Sequence, residues 1–413
     1  MIEAAHRWPH LTTQHLDPLL RRHPALALAV GSAALTRLAA LTTLDITVLE
    51  TIERHLPKGR HTELGTGVAA IKARLAHHRL AIIRDPAGRA RVLDNLALFQ
   101  SYAGLRNEAL ANGQQALKIW HGLTPTHPGY LPDLAASLTN LGIFLAEVGR
   151  NGEALTAAEE AVAVCRRLAA VNPAAYEPDL ALSLTNLGVG LAGVGRRGEG
   201  MIAAEEAVEI RRRLAAVNPA AYEPDLAASL INLGDHLAEV GRNGEALTAA
   251  EEAVAVCRRL TAVNPAAYEP DLAASLTNLG TFLAGAGRNG EALTAAEEAV
   301  AVCRRLTAVN PAAYEPDLAL SLTNLGVRLS GAGRRGEALT AAEEAVEIRR
   351  RLAAVNPAAY EPDLAASLSN LGIWLSGAGR RSEALTAAEE AVEIRRRLAA
   401  VNPAAYEPDL AAS

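Results

Sequence analysis

Adjacent carboxylates are the most regular residues of this chain that could carry out chemistry. Glu159 and Glu160 form one such pair, and the same pair recurs in every full copy of a repeated segment. Two carboxylates can act as general acid and base, but a catalytic pair occurs once, in a site that shifts its pKa. The repetition therefore predicts charged, solvated helix faces, and we expect no catalytic residue among these pairs.

A glycine pattern near the N-terminus could bind a nucleotide. Gly65-Thr66-Gly67 followed by Ala70 fits a loose dinucleotide-binding pattern, and Asp85 lies at the distance of an acid that would bind ribose. Such a pattern follows an apolar strand, whereas residues 59–63 are polar. The chain also lacks a GxxxxGK[ST] phosphate loop. We therefore expect no nucleotide and no other cofactor.

Histidines could bind a metal ion, and eight of the eleven lie in the first 93 residues. His6 and His10 are four residues apart, but Pro9 between them disfavours a regular helix. A His-Glu-x-x-His motif is absent, and no cysteine lies nearby. We expect solvated or interface histidines and no metal site.

A 46-residue repeat positions most of the remaining side chains. A period between 20 and 50 residues indicates a stacked array, in which each unit buries its apolar face against its neighbours. Half of the residues are apolar and only 3% are aromatic, so Ala, Leu and Val must build the interior, and Ala and Leu favour helices. The sequence predicts an all-α protein. The tripeptide Asn-Pro-Ala marks the repeat at Asn172, Asn218, Asn264, Asn310, Asn356 and Asn402.

Two helices fit each repeat. In one copy, leucines follow at three- and four-residue steps over 180–191, and Pro178 suits the first turn of that helix. We expect this first helix to begin at Pro178 and to end at Gly195. Residues 154–171 of the preceding copy carry a broader apolar face, as a helix buried on two sides requires. The Asn-Pro-Ala-Ala-Tyr-Glu-Pro segment is expected to break the second helix and to return the chain.

The organisation predicted is an irregular helical lead-in over 1–93 and a repeat array over 94–413. The array comprises one degenerate repeat, six full repeats and a five-residue stub that begins at Asp409. No polar capping helix follows, although arrays normally need one. Either the chain is a fragment of a longer protein or self-association covers the uncapped last repeat, and we favour the fragment.

Composition excludes several function classes. The net charge is −6, from 46 acidic and 40 basic residues, which argues against nucleic acid as a partner along the whole chain. No stretch approaches 18 uncharged apolar residues, so we expect no membrane span and no membrane partner. Arginine replaces lysine nearly everywhere, which is typical of a GC-rich bacterial genome. We expect a reduced, cytoplasmic location.

The cysteines occupy one position of the repeat. Their spacing argues against disulfides, because stacked repeats hold equivalent residues too far apart. Arginine takes the same position in other copies, so we expect a boundary position that accepts a charge and an inert cysteine. The residues concerned are Cys165, Cys257 and Cys303, and Arg211, Arg349 and Arg395.

The repeat resembles tetratricopeptide repeats. Ser-Leu-Thr-Asn-Leu-Gly at 183–188, followed by Leu191, matches the first-helix signature of that family. Ala154 and Ala161, twelve and nineteen residues after Gly142, match its small second-helix positions. Leu and Ala replace the usual aromatics, and the period of 46 rather than 34 resembles the long repeats of kinesin light chains and of bacterial regulatory proteins. The resemblance implies a right-handed α-α superhelical solenoid of helix pairs.

An asparagine recurs on the first helix, which lines the concave wall in that family. The resemblance implies that these amides can hold the backbone of an extended peptide, since each amide donates and accepts. Asparagine at this position can also bond one repeat to the next, and both roles stay open. The row comprises Asn140, Asn186, Asn232, Asn278, Asn324 and Asn370.

Two adjacent positions after the glycine of the first helix vary most between copies. Recognition residues must differ from unit to unit, although drift on an exposed surface would have the same effect. Large residues here could supply the apolar anchors that dominate interfaces. The pairs are Ile143-Phe144, Val189-Gly190, Asp235-His236, Thr281-Phe282, Val327-Arg328 and Ile373-Trp374.

We therefore predict a non-enzymatic scaffold that binds a peptide or protein along its concave face. The binding residues would be the asparagine row together with Phe144, Asp235, His236, Phe282, Arg328 and Trp374. The alternative is the sensor or autoinhibitory arm of a larger regulatory ATPase of the STAND type, whose catalytic domain would lie outside this chain. An enzyme ranks third, because no nucleophile–base or metal constellation occurs once and in context.

Overall fold

The structure is a computed structural model that describes residues 2–56 and 64–401, and within these ranges every regular element is a helix. It divides into two compact units, residues 1–210 and 211–413. Asn402 and the stub that begins at Asp409 lie outside the described residues. None of the described helices is both long and apolar enough to span a bilayer.

The first unit starts with short helices around an apolar core that includes Leu35, Leu49 and Ile71, each fully buried. The elements of this part are α1 (Ile2–Arg7), α2 (Pro9–Leu11), a π-helical turn (Thr12–Leu16), α3 (Asp17–Arg22), α4 (Ala25–Ala29), α5 (Ser32–Ala40), α6 (Ile46–Glu53) and α7 (Gly65–Ile82). α5 packs against α7.

Helix pairs make up the rest of the first unit. They are α8 (Pro86–Tyr102) with α9 (Arg106–Leu123), then, after a 3-10 turn (Pro128–Tyr130), α10 (Leu131–Glu147) with α11 (Asn151–Val171), and α12 (Pro173–Gly193) with α13 (Arg197–Val217). The pair α8–α9 is the predicted degenerate repeat, and the expected boundary between residues 93 and 94 falls inside α8. The consecutive helices from α8 to α12 pack in order: α8 against α9, α9 against α10, α10 against α11, and α11 against α12.

The second unit, which starts within α13, contains four further pairs. They are α14 (Pro219–Glu239) with α15 (Asn243–Val263), α16 (Pro265–Gly285) with α17 (Asn289–Val309), α18 (Pro311–Gly331) with α19 (Arg335–Val355), and α20 (Pro357–Gly377) with α21 (Arg381–Val401). Consecutive helices pack throughout from α14 to α21. The predicted all-α fold of stacked helix pairs is confirmed.

The end of each first helix is as predicted. Gly195 follows α12 with φ 83°, a left-handed conformation that glycine adopts without strain. The Gly195 N–H donates to Ala192 O and the Arg196 N–H to Leu191 O, both at 2.9 Å, which is a Schellman motif. The equivalent glycines of the other repeats have φ between 76° and 80°.

The predicted start of the first helix is wrong. α12 begins at Pro173, so Pro178 lies inside the helix, and only Asn172 separates it from α11. Asn172 has φ −143° and ψ 85°, because a residue before proline avoids the helical region, and its Oδ1 accepts from Ala175 N at 3.3 Å. One extended residue thus ends one helix and caps the next. Pro178 removes a single hydrogen bond from the early part of the helix.

The position shared by cysteine and arginine is buried, so the expected boundary position is wrong. Cys165, Cys257 and Cys303 are at most 1% exposed and free, and burial raises the pKa of each thiol. Each Sγ contacts the serine hydroxyl of the following helix, as Cys257 does with Ser275 at 3.3 Å. The long arginine stem reaches the same partners. Arg349, only 7% exposed, donates to the Ser367 hydroxyl and, at 3.3 Å, to the Asp363 carbonyl.

Candidate functional site

The glycine pattern at the N-terminus has a structural role. A Cβ on Gly67 would lie 2.6 Å from the Ser32 carbonyl oxygen, so α7 can approach α5 only without a side chain there. The Gly67 N–H donates to Ser32 Oγ at 2.7 Å. Asp85 caps α8, where its Oδ2 accepts from Gly88 N at 2.7 Å. Both groups are occupied by the fold, and residues 59–63 lie outside the described residues.

The carboxylate pairs belong to ion pairs between successive second helices. Arg258 of α15 pairs with Glu298 of α17 at 2.6 Å, and Arg304 of α17 pairs with Glu344 of α19 at 2.7 Å. The other carboxylate of the pair binds the arginine before the next second helix, as Glu251 binds Arg288 at 2.9 Å. Solvent screens exposed pairs of this kind, so each contributes little to stability. This surface is a charge-balanced outer layer, and within the described ranges no group of histidines, cysteines and carboxylates could hold a metal ion.

Within each unit, the first helices form a second layer, which we call the first-helix face of that unit. It comprises α10 and α12 in the first unit, and α14, α16, α18 and α20 in the second. In the first unit α10 contacts α12, and in the second unit α14 contacts α16 and α16 contacts α18. All six predicted asparagines lie on these helices and are half-buried.

One of the two roles that the sequence leaves open for the asparagine row, a bond between repeats, is present in the structure. Asn278 Nδ2 donates to Asp235 Oδ1 of the preceding repeat at 3.2 Å, so this amide bonds one repeat to the next. In the part of the chain that the structure describes, no side-chain hydrogen bond is present at Asn140, Asn186, Asn232, Asn324 or Asn370. The Nδ2 atom of Asn186 is also shielded from solvent.

The two variable positions face different ways. The first is solvent-exposed, with Ile143, Val189 and Ile373 exposed by 42%, 55% and 68%. The second turns toward the preceding repeat: Phe144 is 2% exposed and His236 is 6% exposed. Phe282, Arg328 and Trp374 are half-buried. Only the first position is solvent-exposed in all six repeats.

The aromatic rings at the second position pack over small residues of the preceding repeat. A Cβ on Gly234 would lie 3.1 Å from the Phe282 ring, and a Cβ on Gly326 would lie 2.9 Å from the Trp374 ring. Phe144 lies similarly against Gly113 of α9. The glycine of the first helix therefore makes room for a ring. Phe144 is thus a core residue and not an exposed anchor.

Burial also lowers the pKa values of the two basic residues at the second position, His236 and Arg328. Desolvation lowers the pKa of His236, whose Nδ1 is shielded from solvent and lacks a partner among the described residues, so this imidazole is neutral near pH 7. Burial lowers the pKa of the Arg328 guanidinium as well, although arginine stays charged. Neither side chain is placed to act as a general acid or base on a bound substrate.

Gly190 leaves this position empty, and a pocket of about 340 Å³ opens there between α10, α11 and α12. Its wall is mainly apolar and includes Gly142, Ala154 and Ala158 of the preceding repeat. Asn186 lines the same pocket. Our sequence reasoning did not include Gly190 among the site residues. The available signal was that glycine stands where the other repeats carry Phe, His, Arg or Trp.

Models of the tetratricopeptide repeat family match residues 134–172, 226–261, 271–351 and 364–402. Solved structures also match. BtubC (BKLC) from P. vanneervenii is 22% identical with a TM-score of 0.48, over 59% of this chain and 90% of that one. Aspartyl phosphate phosphatase F from Bacillus subtilis is 10% identical with a TM-score of 0.49, over 76% and 72%. Apo RapI is 12% identical with a TM-score of 0.41, over 81% and 92%. No curated protein matches the sequence.

Proposed function

Since the chain is a tetratricopeptide repeat protein, we propose that it is a non-catalytic scaffold that binds an extended peptide, or an extended segment of a protein, on its first-helix face. The observation that carries the proposal is that five of the six side-chain amides of the row have no hydrogen-bond partner among the described residues. An amide that donates and accepts can bind a peptide backbone whatever the peptide sequence.

The contrast between the two layers supports this choice of face. Ion pairs between neighbouring repeats occupy the charges of the second helices. The first-helix face instead offers unpaired amides beside exposed apolar residues such as Val189 and Ile373. Backbone contacts from the amides would give affinity, and the first variable position would give sequence preference.

We also propose a reducing, cytoplasmic location. The three cysteines are free and buried in the helix core, where each contacts a serine hydroxyl. This arrangement needs no oxidising compartment.

The test is selection from a random peptide library, followed by affinity measurement on the selected peptides. The perturbed protein carries Asn232→Ala, Asn324→Ala and Asn370→Ala together, the three asparagines of the row in the second unit that have no side-chain hydrogen bond among the described residues. We expect peptide affinity to fall at least tenfold, since each lost backbone hydrogen bond contributes about 0.5–1.5 kcal/mol.

The matched control removes three arginines of the outer layer, Arg258→Ala, Arg304→Ala and Arg350→Ala, and leaves the first-helix face intact. Circular dichroism should show equal helicity in all three proteins. Peptides that bind the asparagine variant as well as the unmodified chain would refute binding through this row. Unfolding of that variant would instead assign the asparagines to bonding between repeats.

A further inference from the structure

We infer that the pocket at Gly190 is a binding site for one aromatic side chain of the peptide, and that a phenol ring, as in tyrosine, fits it best. The peptide as the source of the ring rests on the function proposed above. The pocket itself does not, because it follows from the geometry of α10, α11 and α12.

The size of the occupant follows from the other repeats. Phe282 and Trp374 occupy the position equivalent to Gly190, two and four repeats further along the chain. Their rings pack over Gly234 and Gly326, the equivalents of Gly142. At Gly190 the receiving wall is present and the ring is missing. A ring supplied from outside would therefore find a wall that the array uses for its own rings.

The polar groups of the pocket also favour a ring that carries a hydrogen-bond acceptor. Its wall of Ala154, Ala158 and Ala161 suits an apolar ring. Asn186 Nδ2 is a donor shielded from solvent and without a hydrogen-bond partner among the described residues. An unsatisfied buried donor is unfavourable, so a ring that carries an acceptor is preferred over a plain hydrocarbon ring. Asn186 and Glu147 both line the pocket. After a side-chain rotation that brings Asn186 Nδ2 to the pocket surface, a phenol oxygen would accept from this amide and donate its own proton to Glu147.

Three other polar residues of the wall, Thr139, Ser183 and Glu147, already have hydrogen-bond partners. Thr139 Oγ1 and Ser183 Oγ lie 3.2 Å apart, and Thr139 also donates to the Ala135 carbonyl at 2.9 Å. Glu147 accepts from Ser101 Oγ at 3.0 Å and keeps acceptor capacity. Outside the pocket, Ile143 and Val189 are exposed by 42% and 55% and would contact the peptide on either side of the inserted ring.

The first experiment uses free side-chain analogues on the full chain, p-cresol for tyrosine and toluene for phenylalanine. Ligand-observed NMR titration should give a dissociation constant on the order of 1 mM for p-cresol, as expected for so few atoms. Toluene should bind about 3- to 10-fold more weakly, and Asn186→Leu should abolish that difference. Equal binding of both analogues to the unmodified chain would refute the role of the Asn186 donor.

Two variants taken from the chain's own repeats locate the site. Gly190→Phe inserts the ring that Phe282 carries and should abolish p-cresol binding. Phe282→Gly opens the equivalent position over Gly234 and should raise the number of bound p-cresol molecules from one to two. Unchanged binding in Gly190→Phe, or no binding by the unmodified chain, overturns the site.

The peptide as the source of the ring is tested with the selected library. Peptides that bind the unmodified chain and contain an aromatic residue should lose at least tenfold in affinity for Gly190→Phe, and replacing that residue by Ala should have the same effect. Selected peptides without an aromatic residue would refute the peptide as source. Binding of p-cresol together with a complete lack of peptide binding would refute the function proposed above while leaving the pocket supported.

Discussion

Replacing Gly190 by Phe should stabilise the array, although it inserts a large side chain. The Cβ would meet only Leu155 Cδ1, at 3.9 Å, an ordinary van der Waals contact. Gly190 lies inside α12 and has no positive φ, so the backbone accepts any residue. The ring would occupy part of the open pocket of about 340 Å³ instead of displacing packed atoms.

The expected gain combines three effects. Removing a glycine from a helix interior and placing phenylalanine there gives about 0.4 kcal/mol. Burying most of the ring gives roughly 1.5–3 kcal/mol, and fixing its rotamer opposes this by about 0.5 kcal/mol. We therefore expect the free energy of unfolding to rise by about 2 kcal/mol. Gly190→Ala is the matched control, with a gain of about 1 kcal/mol from helix propensity alone.

Urea unfolding followed by circular dichroism measures the total change. Repeat arrays can unfold in parts, so hydrogen exchange in α10, α11 and α12 should be measured as well. Both methods should place Gly190→Phe above Gly190→Ala. A phenylalanine variant less stable than the alanine variant would show that the ring does not enter the pocket, and the reasoning from Phe282 and Trp374 would then be refuted.

Three further changes test the packing and the caps. Gly280→Leu should lower the free energy of unfolding by about 1–3 kcal/mol, because its Cβ would lie 3.3 Å from the Ala292 carbonyl oxygen. The control Gly285→Leu has open space around it and should be nearly neutral. Thermal melts of both variants measure the difference. Burial lowers the pKa of His236, so on acidification the unfolded chain binds the proton before the folded chain does. The free energy of unfolding should therefore fall as the pH drops below the ordinary histidine pKa of 6.5. The difference between the urea midpoints at about pH 7.5 and about pH 5.5 should be smaller for His236→Phe than for the unmodified chain. Asn310→Ala removes an acceptor 3.2 Å from Ala313 N and should lower the thermal stability by about 1 kcal/mol.

Helix ends and helix starts differ in how well the sequence predicts them. A glycine after a leucine stripe indicates a helix end, because only glycine adopts a positive φ without strain, and Gly195 confirms it. Pro173 and Pro178 are both acceptable at the first turn of a helix. The choice depends on whether Asn172 alone can reverse the chain, which it does through its extended backbone and its side-chain cap. That property belongs to the packed pair of helices and not to the local sequence.

The sequence predicted which helices carry the proposed binding face, but not which of their side chains are exposed on it. Adjacent residues on a helix are about 100° apart, so Ile143 and Phe144 cannot face the same neighbour. Which of them is covered depends on how the next repeat stacks, and no local pattern in the sequence records that direction. The structure shows Phe144 buried and Ile143 exposed. The same stacking turns His236 inward, although variability had marked it as a recognition residue.

Near-identical repeats allow the chain to be compared with itself. Where Cys303 is replaced by Arg349 in the next repeat, the buried space stays filled and the serine partner is kept. Gly190 stands at the position that Phe282 and Trp374 occupy in later repeats, and there the space stays open although the backbone would accept either ring. By the estimate above, the empty position forgoes about 2 kcal/mol of stability. Proteins accept such losses where function requires them. If the pocket binds a peptide side chain as proposed, the vacancy at Gly190 distinguishes one repeat by function, whereas the exchange of cysteine and arginine distinguishes repeats only by packing.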